Sequence, residues 1–387
     1  MRAATCSAAA LLLCFSQHAA GRDLTPEVRA KIFAPTEEVG LAAPTVRISL
    51  RATDQQGHYK CPYLRVFVNG KGPFTFLYDT GASYSVVSSK VVEAAATPIV
   101  FDRGGERDVV SLSTLTVGGV SLGGIWAIHA DDNPGIDGIL GAPAFGTANV
   151  LVDLRWRELL VSKSTIDLPG SFEVPYKSPF NVPTVPVAIG ARSAQILIDT
   201  GDDAYGLELR PDELGDAALE HAPAAASSVL NGTRVQATST TTLRDQIRLG
   251  PLHADHATIA VNADLPVGDF GYDVLSQFRF VIDPQRHVLR FQHRSGGSRF
   301  AIPPTLSAGF TLAFGGDGAI TDVISGTGAA RAGLRPGDRL LSVNGIPAGS
   351  LNPRAWDRLL ESGRALQVRW IHSGTPRSGR WKVRAID

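Results

Sequence analysis

Cysteine, methionine and excess charge of either sign are scarce in this sequence. Its 387 residues include three cysteines and one methionine, and 37 basic side chains balance 37 acidic ones. Without a basic excess, the chain has no electrostatic footprint for nucleic acid or for an anionic membrane, and we expect neither as a partner. The length is sufficient for two or three domains, each with its own hydrophobic core.

Long apolar runs are also missing, apart from one short run at the N-terminus. Arg2 precedes apolar and small residues from Ala3 to Phe15, and a small-residue stretch ends at Ala20. This order predicts a signal peptide over residues 1–20, since the run is too short to span a bilayer. Its removal leaves only Cys61, which excludes an internal disulfide. We therefore expect an exported bacterial protein, periplasmic or secreted, with no membrane span after signal removal.

One pattern is written twice in the chain. The tripeptide Asp-Thr-Gly follows an apolar run at Asp79 and again at Asp199. Downstream, Gly141 and Gly271 each stand 12 positions before the aspartate of a Val-Asp or Ile-Asp pair. Matched spacing over such a distance predicts two homologous lobes.

The fold class expected from these patterns is mainly β. Short apolar or alternating runs, separated by Gly, Pro, Asn and Asp, predict strands in both lobes. The tail adds a Pro-Gly turn, an Asn-Gly hairpin signal and a helix that begins after Asn352, which predicts a small α+β domain. The predicted units are a signal peptide (1–20), an N-terminal segment (21–44), a first lobe (45–165), a second lobe (166–295) and a C-terminal domain (305–387).

The doubled tripeptide permits one particular chemistry. If each lobe delivers one aspartate to a shared axis, two carboxyls about 3 Å apart cannot both ionise, and they share one proton. One member can then take a proton from water while the other donates a hydrogen bond to a peptide carbonyl. Thr80 and Thr200 can tie the lobes together through hydroxyl-to-backbone bonds, and Gly81 and Gly201 allow the backbone to approach the carboxyls closely.

The repeated tripeptide and the later motifs Ile139–Gly141 and Asp269–Gly271 resemble the retropepsin and pepsin class of aspartic proteases, over residues 45–295. The bacterial retropepsin-like branch is the most similar. The resemblance implies two acid-protease lobes, endopeptidase activity on peptide or protein substrates, and neither cofactor nor metal. It implies that Asp79 and Asp199 are catalytic.

The same resemblance implies supporting positions around the two aspartates. Gly141 and Gly271 would pack beside the active-site loops. A hairpin flap would close over the substrate, and turns at Gly104–Gly105 and Asn231–Gly232 are the candidates.

The tail resembles a bacterial PDZ domain over residues 305–387, with Ala329–Gly345 as its signature. PDZ domains bind C-terminal or extended peptides as an added strand. The resemblance implies a peptide groove formed by Gly309, Phe310, Leu312 and Leu359.

One departure from the protease pattern keeps a second function open. Asp202 follows the second tripeptide, where the family more often has a small or hydroxyl residue. An added acid beside the dyad would raise its pKa values or disfavour the close pair. The alternatives to a peptidase are a catalytically inactive, protease-like adaptor of the cell envelope that binds peptides, and an envelope scaffold.

Other chemistries have weaker support in the sequence. The pair His253 and His256 has no evident third metal ligand. Ser83 lacks the second glycine of a nucleophile elbow, and Cys61 has no marked histidine partner. We therefore interpret Ser83 as a structural hydroxyl and Cys61 as a small apolar core residue.

Overall fold

The computed structural model describes residues 24–102, 107–131, 133, 135–221, 223–230, 234–312, 314 and 318–385. The predicted signal peptide and both predicted flap turns lie outside these residues. The chain is mainly β, as predicted, and its helices are short. Among the described residues, no helix is long and apolar enough to cross a membrane.

The described residues of the first lobe and of the segment before it form eleven strands and two α-helices. These are α1 (Pro26–Ile32), β1 (Glu38–Leu41), β2 (Thr45–Ser49), β3 (Tyr63–Val68), β4 (Lys71–Asp79), β5 (Ser85–Val87), α2 (Ser89–Ala95), β6 (Ile99–Phe101), β7 (Val109–Val117), β8 (Val120–His129), β9 (Gly138–Gly141), β10 (Asn149–Asp153) and β11 (Glu158–Ser162), with a 3-10 turn at Ala142–Phe145.

The second lobe is similar in composition, and the part of it that the structure describes forms twelve strands and two α-helices. These are β12 (Phe172–Pro175), β13 (Thr184–Ile189), β14 (Arg192–Ile198), β15 (Leu207–Leu209), α3 (Pro211–Leu214), β16 (Ala224–Leu230), β17 (Arg234–Thr242), β18 (Ile247–Leu249), β19 (Leu252–Ala254), β20 (Thr258–Val261), β21 (Asp269–Phe270), α4 (Tyr272–Leu275), β22 (Phe278–Asp283) and β23 (Val288–His293), with a 3-10 turn at Pro179–Asn181.

The repeat in the sequence is a repeat in topology. Strand β4 pairs in parallel with β9 and places Asp79 opposite Gly141. Strand β14 pairs in parallel with β21 and places Ile198 opposite Phe270, one residue before Asp199 and Gly271. In both lobes the next strand, β5 or β15, runs antiparallel to that partner. Each Asp-Thr-Gly turn therefore leaves a buried strand at the same place in its lobe.

A six-stranded sheet joins the two lobes, in the order β12-β23-β22-β10-β11-β2. Its middle pair is β10 with β22, where Leu151 lies opposite Val281. The aspartates of the Val-Asp and Ile-Asp pairs end these two strands. Asp153 accepts a hydrogen bond from the backbone N–H of Trp156 at 2.7 Å, and Asp283 accepts one from Arg286 at 3.1 Å. The 12-residue spacing repeated in the sequence thus corresponds to two matching turns, one after Asp153 and one after Asp283.

The N-terminal segment completes the first lobe. Strand β1 pairs with β8, and Val28 and Ile32 of α1 are buried in the apolar layer of the first lobe. Phe33 meets the ring of Tyr84 edge-on, with centroids 5.4 Å apart. The segment before residue 45 therefore contributes a helix and a strand to the first lobe. The domain limits given above stay predictions.

The C-terminal domain has a hydrophobic core of its own, separate from the core of the lobes. Asn352 caps its long helix by accepting a hydrogen bond from the N–H of Ala355 at 2.9 Å, as the sequence indicates. The elements are β24 (Leu306–Ser307), β25 (Phe310–Leu312), β26 (Ile320–Val323), α5 (Gly328–Arg331), β27 (Arg339–Val343), β28 (Ile346–Pro347), α6 (Pro353–Glu361), β29 (Ala365–His372), β30 (Thr375–Lys382) and β31 (Arg384–Ala385), with a 3-10 turn at Ala348–Ser350.

Candidate active site

The structure brings the two Asp-Thr-Gly turns together. Asp79 ends β4, Asp199 follows β14, and both side chains are fully buried. Each carboxyl accepts a hydrogen bond from the glycine two residues later, Gly81 at 2.9 Å and Gly201 at 2.7 Å. A Cβ atom at Gly201 would lie 2.6 Å from Cγ of Asp79, so only glycine permits this approach between the lobes.

The two threonines connect the lobes through reciprocal hydrogen bonds. The hydroxyl of Thr80 donates to the carbonyl of Ile198 at 2.5 Å, and the hydroxyl of Thr200 donates to the carbonyl of Tyr78 at 2.8 Å. Each hydroxyl oxygen also accepts the backbone N–H of the other threonine, at 3.1 Å in both directions. All of these groups are buried, where an unsatisfied polar group is costly. The bonds therefore fix the position of one aspartate relative to the other.

The environment of the pair favours the protonated form. Burial raises the pKa of Asp79 to about 7, although backbone N–H groups of Gly81 and Ala82 oppose the shift. Burial also raises the pKa of Asp199 well above its ordinary range, and the charge of Asp79 adds to the effect. Two such carboxyls hold one proton between them over a range of pH.

Gly141 and Gly271 stand beside the two turns in matching surroundings. A Cβ atom at Gly141 would lie 2.6 Å from the carbonyl oxygen of Tyr84, and one at Gly271 would lie 2.4 Å from that of Tyr205. The residue after each glycine donates its N–H at 2.8 Å to the residue three positions after the aspartate, Ala142 to Ala82 in the first lobe. Tyr272 donates to Asp202 in the second lobe.

Comparison with known protein families identifies two domains in the chain. An aspartyl protease family model matches residues 64–144, which include Asp79 and Gly141, and a PDZ domain model matches residues 319–369. The chain carries an aspartyl protease domain and a PDZ domain. No curated protein matches the chain. This match covers the first lobe, and the second lobe repeats its strand pairing around the Asp-Thr-Gly turn.

The two lobes differ in one buried layer. Ala82, Val86 and Ile139 lie in the apolar layer of the first lobe, where Val86 faces Ile139 across β5 and β9. In the second lobe the corresponding residues are all acidic: Asp202, and Glu208 facing Asp269 across β15 and β21.

We call Asp202, Glu208 and Asp269 the acidic layer, and each of the three is buried. Burial raises the pKa of each, to about 7 for Glu208, and the charge of Glu208 adds to the shift at Asp202. Glu208 accepts a hydrogen bond from Asn262 at 3.2 Å, and Asp202 accepts the N–H of Ala204 at 2.9 Å.

In the sequence, the position of Asp202 directly after the second tripeptide marks this layer. Asp269 is marked as well, because aligning Gly141 with Gly271 places it opposite Ile139.

The PDZ residues predicted to bind peptides separate into two groups. Phe310 and Leu312 line a cavity between the PDZ domain and the lobes, and Gly309 lies in the loop before them with φ of 83°. Leu359 does not line this cavity and packs against the PDZ core. Helix α6 presents Pro353, Trp356, Asp357 and Leu360 to the cavity, a spacing that defines one helix face, and Leu359 lies off that face.

The other candidate residues that the sequence offers are buried or make contacts within the fold. Cys61 and Ser83 are buried, and the Cys61 thiol lies 3.5 Å from the carbonyl oxygen of Gly201, to which it donates. His253 lies 3.8 Å from a carboxyl oxygen of Asp255, and His256 lies 2.5 Å from one of Glu220. Within the described part of the chain, no group of three or more His, Cys, Asp or Glu side chains is arranged to hold a metal ion.

Proposed function

We propose that the protein is an aspartic endopeptidase in which Asp79 and Asp199 hydrolyse a peptide bond with an activated water. The observation that carries the proposal is the reciprocal bonding of Thr80 and Thr200, which holds two buried carboxyls from different lobes at one place. A single proton shared by such a pair supplies both an acid and a base.

The proposed reaction needs nothing beyond the two carboxyls and a water molecule. The ionised carboxyl takes a proton from the water, whose oxygen attacks the peptide carbonyl carbon. The protonated carboxyl transfers its proton to the carbonyl oxygen, which gives a neutral tetrahedral intermediate. Collapse of this intermediate moves a proton to the leaving nitrogen, breaks the C–N bond and returns one proton to the pair.

The decisive experiment compares the wild type with Asp79→Asn and Asp199→Asn on a denatured protein substrate, from acid to neutral pH. Asp216→Asn is the matched control, because Asp216 is exposed and forms an ion pair with Arg192 at the surface. We expect both dyad variants to lose hydrolysis while their near-ultraviolet circular dichroism stays native. Hydrolysis retained by either dyad variant would exclude a shared pair. If only Asp79 is required, a homodimer that supplies two copies of Asp79 becomes the better explanation.

A second candidate function is an inactive, protease-like adaptor of the cell envelope that binds peptides through its PDZ domain. It is favoured by Asp202, because the charge of this residue raises the pKa of Asp79 and so makes ionisation of the dyad more costly. Folded wild type that cleaves no substrate at any pH, yet binds peptides as tightly as Asp79→Asn, would support the adaptor.

We also propose that the protein is exported with cleavage after Ala20 and acts in the periplasm or outside the cell. N-terminal sequencing of the protein recovered from a periplasmic fraction tests this. A mature protein that still begins at Met1 contradicts it.

A further inference from the structure

A cavity of about 500 Å³ lies between the PDZ domain and the protease lobes. This volume is within the range of sites that bind ligands. On the PDZ side its walls are Phe310 and Leu312 of β25 and Trp356 and Leu360 of α6. Among the described strands, β25 pairs only with β26, so no described strand covers its other edge. An extended peptide can add to such an edge and place apolar side chains against α6.

The opposite wall consists of three segments that continue into the active-site loops. His58–Lys60 leads into Cys61, whose thiol donates to the carbonyl of Gly201 at 3.5 Å. Asp203–Tyr205 follows the second Asp-Thr-Gly turn directly. Tyr272–Asp273 begins with the N–H that bonds to the carbonyl of Asp202 at 2.8 Å. Displacement of this wall therefore moves backbone that contacts the second turn.

The cavity is acidic. Its lining contains four carboxylates and one lysine, Lys60, and the carboxylates are Asp203, Asp273, Asp357 and Glu361. The Lys60 ammonium lies 3.6 Å from Asp273 and 3.9 Å from Asp357, and the Tyr59 hydroxyl donates to Asp357 at 2.9 Å. The single ammonium group of Lys60 does not balance the charge of the four carboxylates in the lining. The net negative charge of the lining favours a cationic ligand.

A buried polar atom of the lining also points to a ligand. His58 lines the cavity, and its Nδ1 is 2.8 Å from Asp54, which balances any charge on the ring. Its Nε2 is buried and has no hydrogen-bond partner in the part of the chain that the structure describes. A backbone group of a bound peptide would satisfy it.

We propose that this cavity binds an extended peptide with a Lys or Arg side chain near an apolar residue, and that such binding is coupled to the second Asp-Thr-Gly turn. The apolar side chain packs between Leu312, Trp356 and Leu360. The basic side chain pairs with Asp357 and Glu361. This inference deepens the proposed function, because it names the class of peptide that the endopeptidase would select.

The binding test uses the full-length Asp79→Asn protein, so that no peptide is cleaved. The probes are fluorescein-labelled decapeptide pools in which each position in turn is fixed as Lys, Arg, Gln or Glu. In fluorescence anisotropy, we expect at least one position where Lys and Arg pools bind about tenfold more tightly than the Glu pool. Added salt should reduce this preference.

Variants within and outside the cavity then locate the site. Adding Asp357→Asn or Glu361→Gln should reduce the basic preference severalfold. Adding Leu312→Arg should abolish binding. Asp322→Asn is the matched control, because Asp322 belongs to the PDZ strand β26 and does not line the cavity. Equal binding of Lys and Glu pools at every position, or a basic preference that survives both cavity variants, would overturn the proposal.

The coupling is measured by hydrogen exchange, which does not depend on hydrolysis. Saturating the Asp79→Asn protein with the best Lys pool should slow exchange of the amides of residues 201–203 at least threefold. The amides of residues 150–152, in the sheet that joins the lobes, are the control. Unchanged exchange at 201–203 with the cavity saturated would overturn the coupling. A wild type that lacks protease activity would refute the proposed function and leave both measurements valid.

Discussion

At the scale of single residues, Asp202 adds a titratable group where the first lobe has Ala82. The charge of Asp202 raises the pKa of Asp79, together with the larger effect of burial. Fewer carboxyls near the dyad make its shared proton easier to remove. Both Asp202→Ala, which copies the first lobe, and the isosteric Asp202→Asn should therefore move the upper limb of the pH profile of kcat/KM toward acid.

The measurement is the pH profile of each variant and the wild type on one short peptide. Agreement between the Ala and Asn variants separates the charge from the side-chain volume. Superimposable profiles would remove Asp202 from the mechanism, and an alkaline shift would contradict the sign of the electrostatic effect.

Glu208 gives a second pH dependence, in stability. Burial raises its pKa to about 7 in the folded protein, whereas a carboxyl of this type in an unfolded chain titrates near 4.3. Between these two pKa values the folded state holds a proton that the unfolded state releases. The contribution of this proton to the free energy of unfolding is therefore complete below the unfolded-state pKa and is lost as the pH rises through the folded-state pKa of about 7.

In Glu208→Gln, the free energy of unfolding should consequently fall less steeply from pH 4 to pH 7 than in the wild type. Urea denaturation at a series of pH values measures this slope. Glu93→Gln is the control, since Glu93 is exposed on α2. Parallel curves for the Glu208 variant and the wild type would show that Glu208 is ionised in the folded state.

At the scale of elements, the pairing of β10 with β22 is the main strand contact between the lobes. Leu151 at its centre is fully buried and packs with Ile166, Leu168 and Val281. Leu151→Ala should destabilise the protein by about 2–5 kcal/mol, because it removes packed methyl groups and leaves a cavity. Leu289→Ala is the comparison, since Leu289 is equally buried but lies on β23, away from the junction.

Guanidinium denaturation gives both values, and hydrolysis assays under native conditions give the second readout. We expect only Leu151→Ala to lower the activity of the folded protein, because the dyad depends on how the lobes are joined. A loss below about 1 kcal/mol would mean that the junction repacks around the missing side chain.

Much of this element pattern could be predicted from the sequence. The paired Asp-Thr-Gly turns, the matched glycines and the cap at Asn352 are local signals, and local geometry decides them. The acidic layer and the cavity depend on strands that are distant in the sequence. Neighbouring helix residues such as Leu359 and Leu360 point about 100° apart, and only packing decides which face of α6 meets the lobes.

At the scale of the whole molecule, the PDZ domain and the lobes have separate cores that meet across the cavity. Phe300 and Ile302 belong to the core of the lobes, so a truncation should keep them and end at Pro304. Residues 1–304 should then fold and still cleave a short peptide, because the dyad and its threonine bonds remain intact. The preference for basic peptides should disappear.

Circular dichroism and kcat/KM on matched Lys and Glu peptides test this truncation beside the full-length protein. Complete loss of hydrolysis in a truncated protein with native circular dichroism would show that the PDZ domain forms part of the active site. A preserved basic preference would place the selectivity within the lobes.

The buried layer that is apolar in the first lobe, at Ala82, Val86 and Ile139, is the acidic layer in the second. This difference has a consequence for symmetry. In a symmetric homodimer every substitution occurs in both subunits, so a new buried carboxyl would destabilise both of them. Joining two lobes in one chain removes this constraint. One lobe can keep an apolar layer that packs beside its Asp-Thr-Gly turn, while the other lobe gains buried carboxyls that bind protons. Asp79 and Asp199 are therefore inequivalent in the folded chain before any substrate arrives.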